Sequence, residues 1–193
     1  MKTFSEYIEE TFKQMGKLSK EELLKGDKLK STDDIQEVEA RTFYNAITQI
    51  KLNDIARGIK GKGLETLTVY GVKEYEGMRC FLGNNNSSGF ALHDDELVSV
   101  FSSQKSSGKL LVKKAIKEGA KRLDCFALRN PKGKISGPLY ALYSSVGFKI
   151  DTNMNSGKRG EAYSIQNGVS SFVNDKGEVE EDNPNVVIFM KYR

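Results

Sequence analysis

Apolar and polar positions along this chain change period several times, and each change marks an element. Phe4, Tyr7, Ile8, Phe12 and Met15 recur at helical spacing and predict an amphipathic helix over residues 3–15. The stretch from Lys17 to Lys30 is polar, with a short helix expected around Glu21–Leu24. Thr32-Asp33-Asp34-Ile35 resembles a capping-box start. It predicts a helix running to about Ile50 that buries Ile35, Val38, Phe43, Ala46 and Ile47. The segment IARGIKGKG, with three glycines, then breaks the pattern.

From Leu64 the period shortens to that of strands. LTVYGV, MRCFLG and GFALH are short and rich in β-formers. NNNSSG at 84–89 has the composition of a hairpin loop, since Asn and Gly tolerate positive φ. The run from Glu96 to Phe148 reads as strand (ELVSVFS), small-residue turn (SSQKSSGK), helix (LLVKKAIKEG), strand (RLDCFA) and a short helix stopped by Gly-Phe (LYALYSSVGFK). Leu111, Val112, Ala115 and Ile116 form the buried stripe of the first helix, and Gly119 is placed to cap its end. Residues 151–183 are polar apart from AYSI and SSFV and are expected to be a long loop. NVVIFMKYR is a continuous apolar run of the kind found in a strand covered on both faces.

Composition narrows the class. The chain has 193 residues, enough for one domain with a buried core. It contains no apolar run near the ~20 residues that span a bilayer. The N-terminus carries acidic residues among its apolar ones and reads as no signal peptide, which predicts a reduced cytoplasmic setting. A net charge of +4 with both signs interspersed does not indicate a nucleic-acid partner. One histidine and two well-separated cysteines, Cys80 and Cys125, make a poor zinc ligand set. Both cysteines read as core residues, because no histidine is placed to activate them. His93, in a polar turn, reads as solvated.

The turn between ELVSVFS and its helix is the strongest chemical signal. Unpaired N–H groups at the positive end of a helix favour an anion. Ser106, Ser107 and Gly108 are small enough to let phosphate oxygens approach the backbone. Lys109 lies beside them and begins a stripe continued by Lys113, Lys117 and Lys121, otherwise an ordinary solvated face. A mononucleotide P-loop does not fit: no glycine stands five residues before Gly108, and Lys109 is followed by Leu110. G-x-G-x-x-G is also absent.

On these residues the chain resembles the GNAT superfamily of acetyl-CoA-dependent N-acetyltransferases, and is similar to GNAT-like proteins encoded in phage genomes. Gln104 matches the first position of the family's Q/R-x-x-G-x-G/A loop, whose two glycine positions here are Ser107 and Lys109. Leu142-Tyr143-Ser144-Ser145-Val146-Gly147-Phe148 resembles the family's L-Y-x-x-x-G-F. The family's Asn seven residues before that tyrosine is Ser136 here, and its Ala four before is Leu139. The resemblance covers roughly 64–150 and 184–193.

The resemblance implies an α+β fold with a mixed, mostly antiparallel sheet flanked by helices and splayed fourth and fifth strands. In one domain, a helical part (1–60) precedes a cofactor-binding core (64–150), an insert (151–183) and a final strand (184–193). Acetyl-CoA would lie between the splayed strands, against Val100, Phe101 and Ser102, with its phosphates at Gln104, Ser106, Ser107, Gly108 and Lys109. Tyr143 would act as general acid toward the leaving thiolate, or simply pack under the sheet. Glu96 is the expected base, with His93 and Asp124 as alternatives. The acceptor would be an amine of a small molecule or protein, met by residues 1–60 and 151–183. A non-catalytic binding or regulatory protein of the same fold is the second expectation, favoured by the altered loop and Ser136.

Overall fold

The computed structural model describes residues 29–56, 67–84, 86–103, 107–129, 134–151, 163–166, 169–173, 179–180 and 185–193. The expected helices over 3–15 and around Glu21–Leu24, the glycine-rich break, and Gln104 and Ser106 lie outside the described residues.

The helix expected from Thr32 to Ile50 is three elements, and the first is capped by Ser31. The Ser31 hydroxyl accepts from the Asp33 amide at 3.1 Å, while the Asp34 carboxylate accepts from the Ser31 amide at 3.0 Å. This box closes a single 3-10 turn, Thr32–Asp34. Ile35–Val38 is then strand β1, with Ile35 buried and Gln36 and Glu37 exposed. Pairing with a neighbouring strand, Ile35↔Gly83 through Val38↔Cys80, outweighs the helical reading of four residues with β-branched ends. Helix α1 begins only at Ala40 and runs to Ala56, burying Phe43 and Ile47 as the spacing predicts.

LTVYGV is also not a strand. Leu67–Gly71 forms no regular element, and Val72–Tyr75 is a single helical turn, α2. The Gly71 amide donates to the Glu74 carboxylate at 2.7 Å, and the Tyr70 amide donates to the Tyr75 hydroxyl at 3.3 Å. The segment's main chain is therefore satisfied by side chains rather than by a neighbouring strand.

The remaining elements follow the periodicity. Strands β2 (Arg79–Gly83), β3 (Ser88–His93) and β4 (Glu96–Ser102) form a meander, with Asn86 at φ 54° in the first turn. Helix α3 (Gly108–Lys117) leads to β5 (Arg122–Arg129). It ends in a Schellman motif: the Ala120 amide bonds the Ala115 carbonyl at 2.9 Å, the Gly119 amide bonds Ile116 at 3.1 Å, and Gly119 has φ 110°. The short β6 (Ile135–Ser136), α4 (Pro138–Ser144) and β7 (Phe148–Ile150) complete the central run.

Residues 151–183 are not a loop throughout. They contain β8 (Tyr163–Gln166), β9 (Val169–Val173) and β10 (Val179–Glu180), which form a three-stranded antiparallel sheet in the order β10-β9-β8. Gln166 pairs with Val169, and the two residues between them in sequence are Asn167-Gly168, the strongest short hairpin signal. The signal was readable, but the polarity of its surroundings obscured it.

Strand β11 (Asn185–Tyr192) inserts between β5 and β7. The large sheet therefore runs β1-β2-β3-β4-β5-β11-β7, with β6 on β5. Every pairing along it is antiparallel except β4 with β5. The fold is thus α+β, with an open mixed sheet flanked by helices. No helix among the described residues is long and apolar enough to cross a membrane.

The sheet has a core on each face. On one, Phe81, Phe90, Leu97, Leu123 and Ile188 pack beneath Leu111 and Val112 of α3 and Tyr143 of α4. On the other, Cys80, Leu82, Ala91 and Phe101 pack beneath Phe43 and Ile47 of α1 and Tyr75 of α2. The Phe43 ring lies edge-on to Tyr75 at 5.0 Å and to Phe101 at 5.6 Å. Phe43→Ala is expected to destabilise the protein by about 3–5 kcal/mol, read as a lower urea midpoint. A loss under ~1 kcal/mol would mean that α1 is not packed on the sheet in this way.

Candidate functional site

The site is built where β4 and β5 part. The two strands are parallel, yet they pair only at Glu96↔Arg122 and Leu97↔Leu123. Beyond that point β4 stays with β3, but with a break in register between Gly89 and Ala91. Two residues of β4, Ser99 and Val100, stand opposite Phe90 alone, and Ser99 is left-handed at φ 52°.

The extra residue reverses the alternation of β4. Leu97 packs with the α3/α4 core and Val98 with the α1 core, whereas after the bulge Val100 packs toward α3/α4 and Phe101 is buried toward α1. β5 keeps an unbroken register with β11 and pairs with β6 at Leu128↔Ser136 and Arg129↔Ile135. Between residues 124 and 127, the β4-facing edge of β5 meets no strand among the described residues. The result is a wedge with Leu97 and Leu123 at its closed end.

Three expected residues line the β4 side of the wedge. Val100 is half-buried at the bulge, Phe101 is paired with Gly89, and Ser102 is paired with Ser88. The turn expected to bind phosphate follows directly. Ser107 is the N-cap of α3 but makes no side-chain cap. Its side chain is buried (1% exposed), and its hydroxyl has no hydrogen-bond partner among the described residues. The first N–H groups of the helix have no partner within it, so the turn offers donors and a positive dipole end.

Gly108 meets a different demand from the one expected. A Cβ there would come within 3.1 Å of the Leu142 side chain, so its smallness lets α3 seat against α4. Lys109 is exposed at the start of the helix, as are Lys113, Lys117 and Lys121.

Tyr143 sits on α4 with its ring edge-on to Phe148 at 6.2 Å. It is buried (5% exposed), and burial pushes its phenol well above the ordinary 10.0, helped by Cys125 and Asp124. Tyr143 packs in the same core as Cys125 and Ala127 of β5. The packing role is therefore present: Tyr143 is part of the core beneath α3 and α4.

Glu96 is placed differently. It is half-buried at the closed end, opposite Arg122 and on the α1 face. Asp124, rather than Glu96, is the carboxylate whose charge reaches Tyr143. Burial raises the Tyr70 phenol, with Asp124, Glu96 and Glu74 adding to the rise, and Tyr70 packs against the α1 core. Sequence reasoning missed Tyr70, which it had placed in a strand. Beyond Asp124 the same face of β5 carries Phe126 and Leu128, both 46% exposed. His93 is exposed, but it is the last residue of β3, paired with Glu96, rather than a turn residue. Among the described residues there is no cluster of three or more His, Cys, Asp or Glu able to hold a metal ion.

No protein-family model, curated protein or solved structure matches the chain.

Both cysteines are free and buried. Burial raises the Cys125 thiol from 9.0 to about 12, and the Cys80 thiol to about 11. The Cys80 thiol also donates to the Tyr75 carbonyl at 3.8 Å. Neither should react with a disulfide reagent at pH 8 until the protein unfolds, whereas a fast-reacting thiol in the native state would contradict this burial. The same groups set an alkaline limit. For Cys80, Cys125, Tyr75 and Tyr143 the fold favours the neutral form, so their contribution is complete below their ordinary values of 9.0 and 10.0. It is lost as pH rises through the raised folded values. The thermal midpoint is expected to fall progressively above pH ~9, and a flat profile to pH ~11 would contradict the assignment.

Proposed function

We propose that this chain is an N-acetyltransferase that moves an acetyl group from acetyl-CoA to an amine of a small molecule or protein. The observation that carries the reading is the wedge between β4 and β5, open from Val98 onward, with a buried Tyr143 packed in the core shared with Leu123, Cys125 and Ala127 of β5. The fit to the co-substrate rests on two further features. The bulge at Ser99 turns part of β4 away from regular pairing, and the hydroxyl of Ser107 is buried without a described partner where phosphates would lie.

Backbone groups of Val100, Phe101 and Ser102 would pair with the extended arm of acetyl-CoA, and Ser107, Gly108 and Lys109 would meet its phosphates. Gln104 and Ser106 belong to the same proposed loop. Acetyl-CoA supplies an activated thioester. An amide N–H at the bulge would hold the negative charge that develops on its carbonyl oxygen. Asp124 or Glu96, through Tyr70 or water, would receive the proton of the attacking amine. As the new C–N bond forms and the C–S bond breaks, Tyr143 would pass its proton to the departing sulfur. A thiol of pKa ~8.5 leaves more readily with a proton in reach, and the raised phenol ensures that Tyr143 is protonated when needed.

The second reading, a non-catalytic binding or regulatory protein of this fold, is favoured by one observation. The space beside Gly108 is filled by Leu142 at 3.1 Å, and the neighbouring loop positions are Ser107 and Lys109. A loop of this kind leaves less room for a pyrophosphate.

Thermal shift with acetyl-CoA tests binding: at roughly a hundredfold above its dissociation constant, a ligand stabilises by about 2.7 kcal/mol. No shift at millimolar acetyl-CoA would end the enzyme reading. Given binding, thiol release with a panel of amines reads turnover, and Tyr143→Phe is expected to lower kcat by about a hundredfold or more. An unchanged kcat would remove Tyr143 from the chemistry.

A further inference from the structure

Ser99 is a β-hydroxy residue in a left-handed conformation that few non-glycine residues adopt without compensation, and it sits at the register break from which β4 leaves β5. Its hydroxyl donates to the Thr68 carbonyl at 3.1 Å. That uses its one proton, so the 2.9 Å contact with Tyr75 is a bond in which the phenol donates to the Ser99 oxygen. The phenol oxygen in turn accepts from the Tyr70 amide at 3.3 Å.

The four groups thus run Tyr70 N–H, Tyr75 O–H, Ser99 O–H, Thr68 C=O. Both ends of the chain lie on the irregular segment Leu67–Gly71. The Tyr75 ring is fully buried and held edge-on by Phe43 at 5.0 Å and Tyr70 at 5.7 Å, so its hydroxyl has little freedom to move.

We propose that Tyr75 and Ser99 are positioning residues that clamp the β4 bulge onto the Leu67–Gly71 segment, so that the wedge stands open before any ligand arrives. The physical alternative is a β4 without the extra residue. Phe101 would then share the face of Leu97 rather than packing under α1, and β4 would be free to continue beside β5. The clamp opposes that slip at the residue where the alternation reverses. For the function of the wedge, the inference rests on the acetyl-CoA reading; for the clamp itself it does not.

Tyr75→Phe keeps the ring and removes the hydroxyl. Amide hydrogen exchange of the free protein is expected to quicken at Val100 and Phe101, with β2 and α3 unchanged. The dissociation constant for acetyl-CoA is expected to rise roughly tenfold, the scale of one lost hydrogen bond. Adding Ser99→Gly to Tyr75→Phe restores the left-handed backbone without a Cβ. It should recover most of the lost affinity, which a core-packing defect would not do. If Tyr75→Phe does not fold, Ser99→Ala carries the same exchange and binding measurements.

Exchange at Val100 and Phe101 equal to wild type in the folded variant overturns the clamp, whatever happens to binding. Weakened binding that Ser99→Gly does not rescue overturns the positioning role. Quickened local exchange in a protein whose wild type binds no acetyl-CoA supports the clamp and removes only the ligand reading.

Discussion

One extra residue in β4 organises the described part of this molecule. Side chains on a strand alternate strictly, so inserting a residue reverses which face every later side chain meets. The reversal at Ser99 sends Phe101 into the core beneath α1, where it meets Phe43, and turns Val100 toward α3 and α4. It also coincides with the loss of pairing between β4 and β5 after Leu97 and Leu123. The two cores, the opening between the strands and the approach of α3 to that opening all depend on this change of alternation.

The helices on the α3/α4 face serve the same opening. Gly108 lets α3 seat against Leu142 of α4, which fixes the helix N-terminus next to the end of β4. Tyr143, one residue further along α4, is thereby held with its ring in the core, edge-on to Phe148. The burial that orders the ring also raises its phenol above the ordinary value. On the α1 face, Asp124, Phe126 and Leu128 alternate along β5, the last two exposed.

Much of the fold was legible along the chain. The meander β2–β4, the helix α3 with its Gly119 stop, β5, α4 and the continuous run of β11 all follow from period and turn chemistry. The misreadings share a cause. Ile35–Val38 looked helical because four residues carry little period of their own, and β2 decided their state. Thr68–Tyr70 looked like a strand by composition, but hydroxyls at Tyr75 and Ser99 take up main-chain groups at both ends. The site was half legible. Ser107 begins the helix that follows β4, Tyr143 is buried in the core under the same strands, and Glu96 lies at the closed end of the wedge.

The sequence by itself determined what is settled within a few residues: the cap at Gly119, the hairpin turn at Asn86, the amphipathic face of α3 and the small-residue turn before it. These depend on local hydrogen bonds and on which side of one element is apolar. Only the tertiary structure decided the bulge at Ser99, the insertion of β11 between β5 and β7, and the clamp at Tyr75. Each of those needs a partner far away in the chain, 24 residues for Tyr75 and Ser99 and 65 for the contact of Cys125 with Met190. No local pattern encodes which distant strand edge a residue meets. A single inserted residue leaves composition unchanged while exchanging the two faces of everything that follows.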